Sequence, residues 1–355
     1  MSETGRNLRV LVAEDSPVAR QMIVYILNGD PELQVVGEAR DGIEAVELTP
    51  SLRPDVIVMD IMMPGLNGLE AARTIMAEMP TPIVLVSAAY EPDDVKLSFE
   101  ALEAGALTVL AKPPGPGAPS FAENAATLTT TAKLMAEVKL VRRRQARPAQ
   151  AFGPQPDALR MPRRPAKVVA IASSTGGPAA LATILSSLQG GMSAPILVVQ
   201  HITVGFHQGL AEWLDSVSPL SVRLARDGQP LRGGEVLIAP PDSHLGVTTL
   251  GTVALSASPP IGSHRPSATH LFRTVAEAFG DGALGVVLTG MGDDGVAGLR
   301  ALKAARGLVF AQDEATSVLY GMPREAVAQG VVDHVLPLDR MAGSIAAACT
   351  TRRPA

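Results

Sequence analysis

At 355 residues the chain exceeds what one hydrophobic core ordinarily organises, so two domains are expected. Hydrophobic residues make up 46% and aromatic ones only 3%, the profile of α/β layers packed on aliphatic side chains. A net charge of −5 argues against nucleic acid as main partner, and the single cysteine, Cys349, excludes an internal disulfide framework or a cysteine metal cluster.

The first residues lack an apolar signal region, and no apolar run approaches the ~18 residues that span a bilayer. A soluble, cytoplasmic protein without membrane insertion is expected. From the N-terminus, residues 8–13 read as a buried parallel strand that stops at Glu14-Asp15. A helix is expected from Pro17 to about Asn28, then a short strand at 34–39 and a helix around 42–48. Strands at 55–59, 82–86 and 106–111 end on Asp60, on Ser87 and on Lys112-Pro113. This β–α alternation predicts a doubly wound parallel sheet, whose ligands bind beyond the carboxyl ends of the strands. Glu14, Asp15, Asp60, Ser87 and Lys112 all fall there. Gathered carboxylates repel one another, and a hard divalent cation such as Mg2+ relieves that. A carboxylate beside such an ion and a lysine can attack a phosphoryl donor to give an aspartyl phosphate.

On Ala13-Glu-Asp15, Val58-Met-Asp60-Ile-Met-Met-Pro64, Val86-Ser87-Ala88 and Ala111-Lys112-Pro113, residues 8–112 resemble the receiver domain of two-component response regulators. The resemblance implies a flavodoxin-like fold with Asp60 as phosphoacceptor. It implies Mg2+ held by Glu14, Asp15, Asp60 and the Met62 backbone carbonyl, with Ser87 and Lys112 sensing the phosphoryl group. It also implies a Lys112–Pro113 bond that is often cis, and a sensor histidine kinase as phosphodonor. Val109 departs from the pattern, because an aromatic switch residue is usual there.

Residues 113–119 hold four prolines and two glycines among seven positions, which is a loop. Apolar residues at Leu128, Ala132, Met135, Val138 and Val141 give a helical stripe within 120–144. Its end, Arg142–Arg147, reads as a solvated helix terminus with cations at the negative end of the dipole. Residues 148–165 are a Pro- and Arg-rich linker. The expected division is therefore 1–125, a helix and linker at 126–165, and a second domain at 166–350.

The second domain opens on Val168-Val-Ala-Ile-Ala-Ser-Ser-Thr-Gly-Gly-Pro178, a β-branched run broken by small polar residues, glycines and a proline placed for a first helical turn. Taken alone, this strand–turn–helix fits a raised nucleophile, a capped helix or a phosphate cradle. Further strands are expected at 194–199, 235–241 and 283–288, a hairpin at 245–256, and a last strand at 308–312. Helices are expected at 206–214, 266–279 and 296–305. His201 and the Asp293-Asp294 pair, like the serine cluster, lie just past strand ends. Ser, His and Asp are the parts of a hydroxyl nucleophile, its base and the base's orienter. The phosphate cradle loses ground, since no G-x-G-x-x-G occurs at the turn. The histidines at 207, 244, 264, 270 and 334 show no metal-binding spacing and default to surface or structural roles.

Here Ser174-Thr-Gly-Gly-Pro178, Val199-Gln-His201, His264-Arg-Pro-Ser267, Leu288-Thr-Gly-Met-Gly-Asp-Asp-Gly295 and Tyr320-Gly-Met-Pro-Arg-Glu325 resemble the catalytic domain of the CheB family of chemotaxis receptor methylesterases. A receiver, a linker and this domain form that family's layout, with a Rossmann-like hydrolase fold implied for the second half. By resemblance Ser174 is the nucleophile, His201 the base and Asp294 the orienting carboxylate. Met291 offers an oxyanion N–H, with Gly290 and Thr175 in support, and no cofactor is implied at the triad. Ser173 stands where a small apolar residue is usual, and Ile202–Phe206 lacks a proline common there. The implied substrates are γ-glutamyl methyl esters and glutamines of methyl-accepting chemotaxis receptors. The expected molecule is a monomer, with the unphosphorylated receiver obstructing Ser174 until Asp60 is phosphorylated.

Overall fold

The computed structural model describes residues 6–87, 108–138 and 164–350, and the chain divides into two compact units, Met1–Gln150 and Ala151–Ala355. Strands at Leu8–Ala13 (β1), Leu33–Ala39 (β2), Val56–Asp60 (β3), Ile83–Ser87 (β4) and Thr108–Ala111 (β5) build the first unit's sheet. Every pairing is parallel, in the order β2-β1-β3-β4-β5. The aliphatic runs of β1, β3 and β4 are central and covered on both faces, so Val10 to Val12, Val56 to Met59 and Ile83 to Val86 are wholly buried. The order in which strands are added reverses at β1, outward to β2 on one side and then to β3 on the other, and Glu14 and Asp60 stand at the ends of β1 and β3. Among the helices, Pro17–Asn28 starts on the Ser16 cap, and Gly68–Glu78 starts on a capping box of Asn67 and Glu70. The helix expected over 120–144 is formed over Phe121–Ala136, with Leu128, Ala132 and Met135 inward. Ala88 and the Arg142–Arg147 cluster lie outside the described residues. The cis peptide found among the described residues is Arg265–Pro266, so Lys112–Pro113 is trans.

The second unit holds a seven-stranded parallel sheet in the order β14-β13-β12-β6-β7-β9-β8. Its strands are Val168–Ser173 (β6), Ile196–Gln200 (β7), Ser221–Leu224 (β8), Glu235–Ile238 (β9), Ala283–Val287 (β12), Leu308–Gln312 (β13) and His334–Leu336 (β14). The expected hairpin is present as His244–Val247 (β10) and Val253–Ser256 (β11), antiparallel. Connections leave β6 towards β7 on one side, while β12 flanks it on the other. The crevice of this α/β sheet therefore lies past the ends of β6 and β12. The helix Ala268–Phe279 packs Leu271, Phe272 and Val275 into the core from one face.

Candidate active site

Three chain segments meet at the switch point. Strands β6 and β7 run in register with Ser173 opposite Gln200, and the His201 N–H donates to the Ser173 carbonyl at 2.9 Å. Ser174 and His201 are thus the next residues along two neighbouring strand ends, on one rim. From the other side, the Ser174 N–H donates to the Thr289 carbonyl at 3.0 Å, and the Thr289 hydroxyl donates to the Thr175 carbonyl at 2.9 Å. A Cβ on Gly290 would come within 2.6 Å of the Ser174 Cβ, so only glycine lets the 289–295 loop approach so closely. This loop brings Asp294 to the base: His201 Nε2 and Asp294 Oδ2 are 2.9 Å apart.

Asp294 is 9% exposed and richly solvated by protein donors. Its Oδ1 accepts from the Ser267 hydroxyl at 2.7 Å and the Thr269 N–H at 3.1 Å, and its Oδ2 accepts from the Ala268 N–H at 2.7 Å. The two amides are the first of the helix Ala268–Phe279, whose positive dipole end suits a carboxylate. Burial alone would raise this carboxyl's pKa. The bond to His201, its charge, Ser267 and the Ala268 N–H outweigh burial and hold the carboxyl far below the ordinary range.

With Nε2 spent on Asp294, His201 Nδ1 is the nitrogen left to act as base, and it is buried without a hydrogen-bond partner among the described residues. No hydrogen bond engages the Ser174 hydroxyl among the described residues. Ser173 is different. Its hydroxyl is fully buried and donates to Gln200 Oε1 at 2.6 Å, so of the two serines Ser174 has the hydroxyl on offer. Gln200 Nε2 in turn donates to the carbonyls of Ser174 and His201, both at 2.8 Å, tying the two strand ends together. The Gly290 N–H is used by the Leu319 carbonyl at 3.0 Å, so Gly290 contributes room rather than a donor. The exposed Met291 has no backbone N–H partner among the described residues.

His264, expected at the surface or in a structural role, instead stacks on His201 with ring centroids 4.1 Å apart and planes 16° from parallel. Burial, then the neighbouring His201, lowers its pKa. Stacking turns the two rings' in-plane lone pairs into near-parallel planes, a poor arrangement for a shared metal ion. Beside His264 and Asp294 opens a groove of ≈ 490 Å³ flanked by Arg273, Arg300 and Glu325. Gln200, His264 and Ser267 escape a reading of spacing because their partners come from distant segments.

In the first unit, donor oxygens of Glu14, Asp15 and Asp60 lie within 4.8 Å of one another. Lys112 Nζ is 2.8 Å from Asp60 Oδ2 and 3.0 Å from Glu14 Oε2. Burial raises the pKa of Asp60, and burial and then Asp60 raise that of Glu14; Lys112 opposes both shifts. One ammonium facing this cluster leaves negative charge that a divalent cation fits. The Ser87 hydroxyl is buried and has no hydrogen-bond partner among the described residues, as a group awaiting a phosphoryl oxygen would be. Met62 is half exposed beside Asp60.

Residues 169–345 match the family model for CheB methylesterase, and residues 10–118 match that for the response regulator receiver domain. A protein-glutamate methylesterase/protein-glutamine glutaminase of Myxococcus xanthus is 52% identical over 344 residues, covering 96% of this chain and 97% of its own. One from Anaeromyxobacter dehalogenans is also 52% identical, over 341 residues, covering 96% and 98%. Among solved structures, the catalytic domain of Thermotoga maritima CheB methylesterase is 39% identical. It matches with a TM-score of 0.50, covering 51% of this chain and 98% of that one.

Proposed function

The chain belongs to the CheB methylesterase family, the protein-glutamate methylesterases/protein-glutamine glutaminases, and on that premise we propose that it works on chemotaxis receptors through Ser174, His201 and Asp294. The observation that carries this reading is the His201–Asp294 pair beside the Ser174 turn, with His201 Nδ1 buried and unpartnered among the described residues.

In the first step Ser174 Oγ attacks the ester carbonyl carbon while His201 takes its proton. Asp294, held as a carboxylate, keeps the imidazole oriented and stabilises it once charged. The oxyanion takes the Met291 N–H, since a backbone donor where charge develops stabilises the transition state. On collapse the C–O bond to methoxide breaks, and His201 returns the proton so that methanol leaves. Water then attacks the acyl-enzyme, gives its proton to His201, and the freed glutamate carboxylate departs as Ser174 regains its hydrogen. With glutamine the same sequence releases ammonia. Thr175 supports the turn behind the nucleophile.

The receiver half supports phosphorylation control, with Asp60 as acceptor, a histidine kinase as donor, and Ser87 and Lys112 contacting the phosphoryl oxygens. Glu14, Asp15, Asp60 and the Met62 carbonyl would hold Mg2+, which neutralises phosphoryl charge when bound. The boundaries that fit this division are 1–125 for the receiver, 126–165 for helix and linker, and 166–350 for the esterase. The test is methanol release from membranes carrying methylated receptors: Ser174→Ala is expected to abolish it. Retained signalling by Ser174→Ala would favour a protein that only docks.

A further inference from the structure

The Asp294 carboxylate is built into a deeper polar chain. Ser267 is the residue before the helix Ala268–Phe279, where a serine ordinarily turns its oxygen back to accept a helix N–H. Here its side chain makes no such cap. The helix N–H groups of Ala268 and Thr269 go to Asp294 instead, and the Ser267 hydroxyl donates to the same carboxylate at 2.7 Å. Behind Ser267 lies His244, fully buried. Its Nδ1 accepts the Ser267 N–H at 3.2 Å, and its Nε2 is 3.1 Å from the Pro259 carbonyl. An amide donor on one nitrogen and a carbonyl on the other fix a single arrangement, a neutral ring with the hydrogen on Nε2. A second hydrogen on Nδ1 would face the Ser267 N–H and push Ser267 out of place.

We infer that Ser267 is a positioning residue for hydrolysis, aiming and saturating the catalytic carboxylate, and that His244 holds Ser267 in place. This rests on the Ser174–His201–Asp294 reading. With Oδ1 filled by Ser267 and Thr269, and one site on Oδ2 filled by Ala268, Asp294 has one direction left, towards His201 Nε2. Deleting the Ser267 hydroxyl leaves more negative charge facing His201 and a carboxylate freer to turn. The first change favours the charged imidazole, so the base becomes neutral only at higher pH. Among the described residues, the titratable groups that meet His201 are Asp294 at its Nε2 and His264 on its face, and Asp293 acts on His264; the substitution removes none of them.

The experiment uses the full chain and a synthetic helical peptide bearing a glutamate γ-methyl ester, with kcat and KM measured across pH. Ser267→Ala is expected to lower kcat about tenfold with KM within about twofold, and to move the acid limb of kcat/KM up by about half a pH unit. His244→Leu should reproduce both effects. His244→Gln, which offers an oxygen to the Ser267 N–H and an N–H to Pro259, should restore the limb. An unmoved limb and kcat in Ser267→Ala would overturn the inference. Should that variant fail to fold, the His244 pair decides: equal profiles for Leu and Gln sink the idea. Asp294→Asn separates the two layers. Loss of activity there with a silent Ser267→Ala removes only this inference, whereas retained activity removes the triad and the inference with it.

Discussion

Ser173 and Ser174 are adjacent and chemically identical, yet their surroundings give them different work. Ser173 is locked to Gln200 inside the sheet, whereas Ser174 stands past the strand end with a hydroxyl unengaged among the described residues. Ser173→Ala is therefore expected to change methanol release less than about threefold, because removing a hydroxyl this way exposes only the Gln200 oxygen to compensation. The positions proposed as nucleophile, base and carboxylate could be picked out in the sequence because each follows an aliphatic run that must end at one sheet edge; their roles came from the family resemblance. Ser267 and His244 were not, since their partners lie 27 and 23 residues away and no local spacing encodes that contact. Another buried histidine, His207, gives a pH test. It is 3% exposed, neither ring nitrogen has a hydrogen-bond partner among the described residues, and burial lowers its pKa from 6.5 to about 4. A group that stays neutral when folded leaves stability intact above pH 6.5; the unfolded chain takes up the proton first as pH falls, so stability drains away down to about pH 4. The loss should be on the order of 2 kcal/mol at pH 5. His207→Leu should remove that loss, seen as a smaller difference in denaturant midpoint between pH 7.5 and pH 5 than in the parent chain.

At the level of elements, the turn from β6 into the helix Gly177–Ser187 depends on Gly177 for space. A Cβ there would lie 2.1 Å from Gln200 Oε1 and 2.8 Å from the Ser173 Cβ. Gly177→Ala must then displace the carboxamide that ties the Ser174 and His201 carbonyls together. We expect a loss of about 1–3 kcal/mol from overpacking, with kcat falling further than the stability change alone explains. Thermal unfolding and methanol release on the same preparation test this, and an unchanged kcat would mean that the Gln200 tie is dispensable. The central strands were legible because parallel strands buried on both faces are written as continuous Val/Ile/Leu/Ala runs. The edges were not. Ser221–Leu224 alternates exposed and buried residues over four positions, and His334–Leu336 spans only three, too short for either period to register. The closing helix Leu338–Cys349 carries a buried stripe at Leu338, Met341, Ala342 and Ile345, but alanine-rich helices advertise such a stripe weakly.

For the molecule as a whole, the receiver's acidic cluster joins energetics to control. Asp60 and Glu14 are buried with raised pKa values, so their stabilising contribution belongs to acidic pH and is lost as pH rises through the folded values. Carboxylates gathered around the single Lys112 ammonium repel one another, so anything that removes or neutralises their charge should stabilise that unit. Asp60→Asn is thus expected to unfold at higher temperature than the parent at pH 7.5, and Mg2+ should raise the parent's transition more than the variant's. The same substitution addresses control. A small phosphodonor with Mg2+ should increase methanol release by the parent, while Asp60→Asn should keep basal release and lose the increase. A chelator should likewise abolish the stimulated part and spare the basal part, because hydrolysis is assigned to side chains of the other unit. Stimulation that survives in Asp60→Asn would disconnect Asp60 from control of methanol release, whatever the stability data say. Basal release that falls with the chelator would show that the two sites are not chemically independent.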